Sequence, residues 1–373
     1  MSAQQSSISF AKPWLGKPWV DILFIIAPPF LCLAFIALFP QLFRDAKDIP
    51  VYWWVILVLL IDVAHVYSTL FRTYFSKDSW QRYRTPMTLI PLASFLFGVL
   101  LCSVSMALFW TVMAYIAVFH FVRQQYGIMK LYSREEGQLP AWCKRVDVLT
   151  IYTATIYPIL YWHFSSPRNF NWFVEGDFII KELPGVRAFF TLLYALVIVV
   201  YAGKEIFLVA RFRKINILRI LVIAGTLFSW YMGIVYFNGD LAFTLLNVVA
   251  HGIPYMALIW IFSMRENKAQ QQRSPFWKLM YGPLGMLLFL AVIFLFAFVE
   301  EGLWDTWVWQ DNGKLFALFS DFKSERLNAS WLKFIVPLLA MPQLTHYVID
   351  GFIWRKRSNT SGRAGEREMT AII

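Results

Sequence analysis

The chain alternates long apolar runs of about 17 to 24 residues with short charged loops, and an apolar stretch of about 20 residues is what a helix needs to cross a bilayer. Ten such runs are read at residues 19–40, 51–71, 87–103, 105–128, 147–163, 187–209, 217–237, 241–264, 279–299 and 333–354. The long apolar tract from 87 to 128 is divided by a turn near Cys102–Ser105. The pattern predicts an all-α integral membrane protein: a bundle of about ten transmembrane helices forming a single domain over residues 1–354.

Charge orients that bundle. Placing the N-terminus, with Lys12 and Lys17, in the cytosol puts Arg72–Arg84, Lys130–Arg145, Lys204–Lys214, Arg265–Lys278 and Arg355–Arg367 on the same side. The other side receives Arg168–Glu182, Asn238–Asp240 and the acidic segment Glu300–Arg326. Lys and Arg then gather on the cytosolic loops, as membrane topology requires. Both termini are expected in the cytosol, and the membrane is expected to be a bacterial inner membrane. Residues 355–373, polar and basic from Ser358 to Glu368, read as a disordered tail.

Composition agrees with this class. Of the 373 residues 59% are hydrophobic and only 15% are charged, well below the roughly 25% of soluble domains. The net charge of +11 is therefore an orientation signal, and no nucleic-acid partner is expected. Cys32, Cys102 and Cys143 are scattered and suggest neither a disulfide framework nor a thiolate metal site. The first run, Asp21 to Phe39, lacks a small-x-small exit, which speaks against a cleavable leader. HExxH, GxxxxGK[ST] and GxGxxG are all absent. Trp53, Trp54, Trp304, Trp307, Trp309 and Trp331 fall at the expected outer interface, where an aromatic belt explains them without a binding role.

The chemistry lies in the histidines. Four of the five, His65, His120, His251 and His346, fall inside four different apolar runs. An ionisable group in lipid costs about 2.5 kcal/mol or more and so marks a functional site. At 1.5 Å per residue, His65 sits roughly 6 Å, His120 and His346 about 4–5 Å, and His251 within about 2 Å of its helix midpoint. Four side chains on four helices thus share one slab, while His163 falls at the far end of its helix. Interhelical hydrogen bonding is the plainer use of any one of them.

Neighbouring residues sharpen the case for a metal. His346 and Asp350 form an i,i+4 pair able to bind one ion, so the expected ligands are His65, His120, His251, His346 and Asp350. Asp62, Thr69, Gln124 and Asn247, each within about one turn of a histidine, are expected to orient the rings. Pro254 is expected to loosen the helix beside His251. Arg72 and Arg123, with Lys130 and Arg355, make the cytosolic mouth cationic, and the first two are candidates to hold an anionic head group. Imidazole plus carboxylate without sulfur suits iron, zinc or manganese.

On these residues the chain resembles the bacterial carotene-cleaving oxygenases of the Brp/Blh type and, more distantly, membrane desaturases and hydroxylases. It lacks the HxxxH and HxxHH boxes of desaturases, and its first helix carries no histidine. The resemblance implies an intramembrane histidine-ligated iron. The expected function is a non-haem iron oxygenase, hydroxylase or desaturase acting on a membrane lipid or lipophilic small molecule. With no flavin, nicotinamide or iron–sulfur motif in the chain, any electrons would come from a separate cytosolic donor protein. Two other readings stay open: a haem b electron carrier with paired axial histidines, and a transporter with a polar midplane site.

Overall fold

The computed structural model describes residues 9–10, 13–44, 49–165, 168–266, 275–322 and 327–354. Lys12, positions 267–274 of the Arg265–Lys278 loop, Arg326, Arg355 and the expected tail lie outside the described residues. The described chain is helical, with one two-residue parallel pairing of Ser9–Phe10 with Lys214–Ile215.

The main helices are α1 (Pro18–Ile26), α2 (Pro28–Leu38), α3 (Val51–Arg72), α4 (Lys77–Val104), α5 (Met106–Tyr132), α6 (Ala141–His163), α7 (Pro184–Phe212), α8 (Ile217–Tyr236), α9 (Asp240–Glu266), α10 (Gly285–Trp309) and α11 (Ala329–Ile353). Eight are long and apolar enough to cross a membrane. A ninth span results if α1 and α2 count as one, bent by 54°. The bend falls at Ala27, ahead of Pro28 and Pro29, which have no N–H to continue the helical ladder. The tenth expected span exists as α6 but is less apolar, because Thr150, Tyr152, Thr153, Thr155, Tyr157 and Tyr161 interrupt its hydrophobic residues.

Local chemistry sets the boundaries. Ser105 turns extended between α4 and α5, and its hydroxyl accepts from the N–H of Leu108, so the expected break of the 87–128 tract falls there. Ser76 caps α4 in the same way, starting that helix ten residues before its apolar run with a polar first turn. Asn328 caps α11. Four segments carry wider i→i+5 turns, including Val55–Val63 in α3 and Asp305–Trp309 at the end of α10. Such turns recur at functional sites because they re-aim side chains out of the regular helical register.

Burial identifies the axis of the bundle. In α9, 78% of the apolar stretch is buried inside the protein, against 22% for α4 and for α10. Against α9 pack α3, the bent pair α1–α2 and α8, with α5 touching it more lightly and α11 reaching it through the Tyr255–Asp350 bond; α3, α5 and α11 carry the other inner histidines. Here α3 comes close: a Cβ on Gly252 of α9 would lie 2.7 Å from Cγ2 of Ile61. An outer layer follows, with α10 on α3, α4 along α11 and α7 on α6, while α8 bridges α9, α5 and α6. That layer turns Leu192, Leu196, Val199, Ile206, Leu287 and Leu295 outward, an apolar surface suited to lipid.

Polar anchors close the end of the bundle where α5 and α9 finish. The buried carboxylate of Asp21 accepts from the N–H groups of Leu15 and Gly16 at 2.6 and 2.8 Å and from Tyr132 at 3.1 Å. Arg134 holds the carbonyls of Pro13 and Trp14. Beside it a buried ion cluster joins α6, α7 and α8. Lys204 bonds Asp147 at 2.5 Å and Glu205, and Arg219 bonds Glu205 at 2.6 and 2.7 Å and Glu136 at 2.7 Å. In the loop before α6, burial raises the Glu136 carboxyl above its ordinary range, against the pull of Arg219. Lys204, expected as a loop charge, is instead neutralised inside the protein.

Candidate metal centre

Each inner histidine is delivered by a different one of the four central helices: His65 by α3, His120 by α5, His251 by α9 and His346 by α11. All four rings are at most 2% exposed. One ring nitrogen from each of His65, His120 and His346 lies within 4.8 Å of the others. His251 joins through Nε2, 3.2 Å from Nε2 of His65, and Nε2 of His346 stands 3.1 Å from Nε2 of His120. Ring centroids are 4.5 Å apart for His120–His346, 4.7 Å for His65–His251 and 5.1 Å for His65–His346 and His120–His251. Phe121 stacks on His251 at 3.5 Å, 5° from parallel. His163 stays apart, on Tyr115.

The opposite edges of three rings face acceptors. Nδ1 of His346 bonds Thr69 Oγ1 at 2.8 Å, and Asp350 Oδ1 lies 3.8 Å from the same nitrogen. Asp350 Oδ2 lies 3.8 Å from Nδ1 of His120, and Asp62 Oδ1 lies 3.7 Å from Nδ1 of His65. Asp350, expected as a ligand, is therefore placed behind two rings, on the side away from the facing Nε2 atoms. An imidazole that ligates through Nε2 keeps its proton on Nδ1 and needs an acceptor there. His251 is the exception, since its Nδ1 has no partner and no hydrogen bond joins it to Asn247.

A repeated spacing underlies the support of these rings. The residue four positions after each histidine is polar: Thr69, Gln124, Tyr255 and Asp350. Three of them form one chain, in which Thr69 and Tyr255 share a hydrogen bond of 2.9 Å and Tyr255 donates to Asp350 at 2.5 Å. Gln124 donates to the carbonyl of His251 at 2.8 Å. Pro254 cannot donate to the Ala250 carbonyl four residues earlier, and Gln125 donates to it instead at 3.3 Å. Helix α9 therefore continues through Pro254. Sequence reasoning missed Tyr255, Gln125 and Phe121; the spacing of four after His251 is the signal by which Tyr255 could have been found.

A cavity of about 420 Å³ lies on the other side of the cluster. Its lining includes Asp62, Asn247 and Gln343, each three or four residues before a histidine, together with Phe121. It also reaches Trp54, Trp110 and Asp240 near the starts of α3, α5 and α9, and Trp304, Asp305 and Trp309 at the end of α10. The cavity thus opens at the end carrying the acidic loops. The expected cationic mouth is at the other end, because Arg72 and Arg123 follow their histidines. Arg72 bonds Glu266 at 2.9 Å and lies 4.1 Å from the ring of Trp354. Arg123 receives its partner from α6, bonding Tyr152 at 2.5 Å. Neither lines the cavity, whereas Trp54, Trp304 and Trp309, expected only as an interfacial belt, do.

The donor set fits a metal ion on an observation independent of resemblance. Four imidazoles crowd together without a carboxylate between them, while acceptors wait behind three of them. Buried Nδ1 atoms of His65 and His251 and Oδ2 of Asp350 have no hydrogen-bond partner at normal distance. Were the facing Nε2 atoms only hydrogen-bonded to each other, one ring of each pair would carry its proton on Nε2 and leave an unprotonated Nδ1, which in the His120–His346 pair would face Asp350; a metal ion at the Nε2 atoms lets each Nδ1 keep its proton. Compared with protein-family models, curated proteins and solved structures, the chain finds no match.

Proposed function

We propose that the four histidines hold one metal ion and that the protein is a membrane-embedded oxygenase, hydroxylase or desaturase acting on a lipophilic substrate, with non-haem iron as the metal. The observation that carries this reading is the set of facing Nε2 atoms with acceptors behind three of the rings. His65, His120 and His346 are the core ligands, and His251 is the fourth. Zinc and manganese suit the same donors. The spacing supports an ion over a haem. Two axial imidazole nitrogens at about 2.0 Å from one iron stand about 4 Å apart with a porphyrin between them, and the Nε2 pairs at 3.1 and 3.2 Å leave no room for that plane.

Iron(II) with open positions supplies the dioxygen chemistry of such enzymes. The protein's own part is positional. Thr69 bonds the ring of His346, and Asp350, held by Tyr255, stands 3.8 Å behind the rings of His120 and His346, so much of the ligand geometry is set before any substrate arrives. The cavity, walled by nine aromatic side chains, places a lipophilic molecule about one helical turn from the rings and limits water there. An acidic electron-donor protein docking on the basic end remains part of this reading.

Elemental analysis of purified protein tests it directly: about one iron per chain is expected, lost in the His120→Ala, His346→Ala double variant. A protein that inserts, folds and carries no stoichiometric metal defeats it. Turnover with dioxygen, with and without a donor, then separates hydroxylation or desaturation from donor-free cleavage.

A further inference from the structure

The cavity above the histidines has a one-sided charge. Among the described residues that line it, six are Asp or Glu and none is Lys or Arg. These acids are Asp62, Asp240, Glu300, Glu301, Asp305 and Asp311. Glu300 is bonded to neutral groups only, the hydroxyl of Tyr67 at 2.5 Å and the indole of Trp304 at 3.3 Å. Asp305 accepts from the backbone N–H groups of Asp311 and Asn312. These partners bring no positive charge, so among the described residues a bound cation would be the countercharge that these buried carboxyl groups lack.

A second observation points to what the charge awaits. Asn247, 3% exposed, lines the cavity floor; its Nδ2 donates to the carbonyl of Phe243 at 2.9 Å. Its Oδ1 is buried and receives no donor. A buried carbonyl oxygen without a donor costs about 1–3 kcal/mol, so a ligand bearing N–H or O–H groups would relieve it.

The spacing of the acids selects among cations. Among the described residues the only three metal-ligating side chains that close to within 4.8 Å are the histidines, so the carboxylates stand too far apart to wrap a bare ion. The wall beside them is aromatic: Trp110, Trp304 and Trp309 pack mutually at 5.7–5.9 Å. Aromatic faces with carboxylates suit an organic cation, whose charge is spread over an apolar body.

We propose that this cavity receives a lipophilic amine in its protonated form. The ammonium lies among Asp62, Glu300 and Glu301 and donates to Asn247 Oδ1, while the apolar body lies along the indoles. The inference names the substrate class of the oxidation proposed above and rests on that reading only for the chemistry after binding.

Binding of four probes with one chain length tests it: dodecylamine, dodecyltrimethylammonium, dodecanol and dodecanoate. Each is titrated against the full protein in neutral-lipid nanodiscs, read by tryptophan fluorescence and corrected by empty nanodiscs. Dodecylamine is expected to bind about tenfold or more tighter than dodecanol and dodecanoate. It is also expected to exceed the trimethylated probe, which has no N–H, and Asn247→Leu should erase that last difference. Glu301→Gln should lower the preference for amine over alcohol several-fold. Dodecanoate binding as tightly as the amine, or displacement of the amine by millimolar calcium, overturns the proposal. The wild-type comparison needs no variant to fold. Iron content measured on the same sample separates the two readings: amine selectivity without metal leaves this inference standing alone, and metal without amine selectivity leaves only the oxygenase reading.

Discussion

Tyr255 of α9 donates a 2.5 Å hydrogen bond to Oδ1 of Asp350 on α11, and both side chains are almost wholly buried. The bond ties the helix of His251 to the helix of His346 one turn beyond the rings. Removing the hydroxyl leaves the carboxylate free to turn away from His120 and His346. Tyr255→Phe is therefore expected to weaken metal binding by about 10–100-fold while the protein still inserts, as measured by metal retention during dialysis against a graded chelator. Retention equal to wild type would reduce the bond to helix packing.

Asp350→Ala separates ligand from support. Its carboxylate lies 3.8 Å behind two rings, so this variant should also lose about 10–100-fold in affinity, with residual metal at high concentration. The double variant of His120 and His346 should bind none at any concentration tested. Complete loss in Asp350→Ala alone would place the carboxylate on the metal.

Gly252 tests how tightly α3 and α9 must approach. A methyl there would meet Cγ2 of Ile61 at 2.7 Å and its carbonyl oxygen at 3.2 Å, next to His251. Gly252→Ala is expected to destabilise by about 1–3 kcal/mol, seen as a lower Tm in detergent, and to weaken metal binding in the same preparation. An unchanged Tm would show that α3 yields at little cost.

Gln125 supplies the hydrogen bond that Pro254 denies the Ala250 carbonyl, and it accepts from Thr226 at 2.9 Å. Gln125→Leu leaves both groups buried without this partner and should cost about 1–3 kcal/mol. Adding Pro254→Ala restores a helical N–H to that carbonyl, so the double variant should recover part of the loss. No recovery would assign the cost to Thr226.

Much of the helical plan was legible because bilayer spans leave an apolar signal of the right length. The break at Ser105 was legible because a serine there can cap the following helix. α6 shows the limit: it is a helix whose Thr and Tyr residues dilute the apolar signal, so length and hydropathy disagree. The convergence of the histidines could be anticipated from depth, since depth follows from residue number along a helix. Which edge of a ring faces a carboxylate depends on rotation about the helix axis and on side-chain rotamer, neither of which residue number along a run gives. Asp350 therefore looked like a ligand in sequence and stands behind the rings in the fold. The cavity at the other end was not anticipated, because arginines near the histidines suggested a mouth while their partners, Glu266 and Tyr152, lie far along the chain.

The cavity floor precedes the histidines by three or four residues on three helices, and the supporting hydroxyls, amide and carboxylate follow by four on all four. On the proposed function, the residues that would meet a substrate and those that would support the ligands thus fall in two columns of the sequence, offset by two helical turns, with Asp62 belonging to both. A lineage could exchange Asn247 and Gln343 to accept a new molecule while Asp62, Thr69, Gln124, Tyr255 and Asp350 keep the rings in place. Variants at Asn247 and Gln343 should form a library of altered selectivity on an unaltered centre.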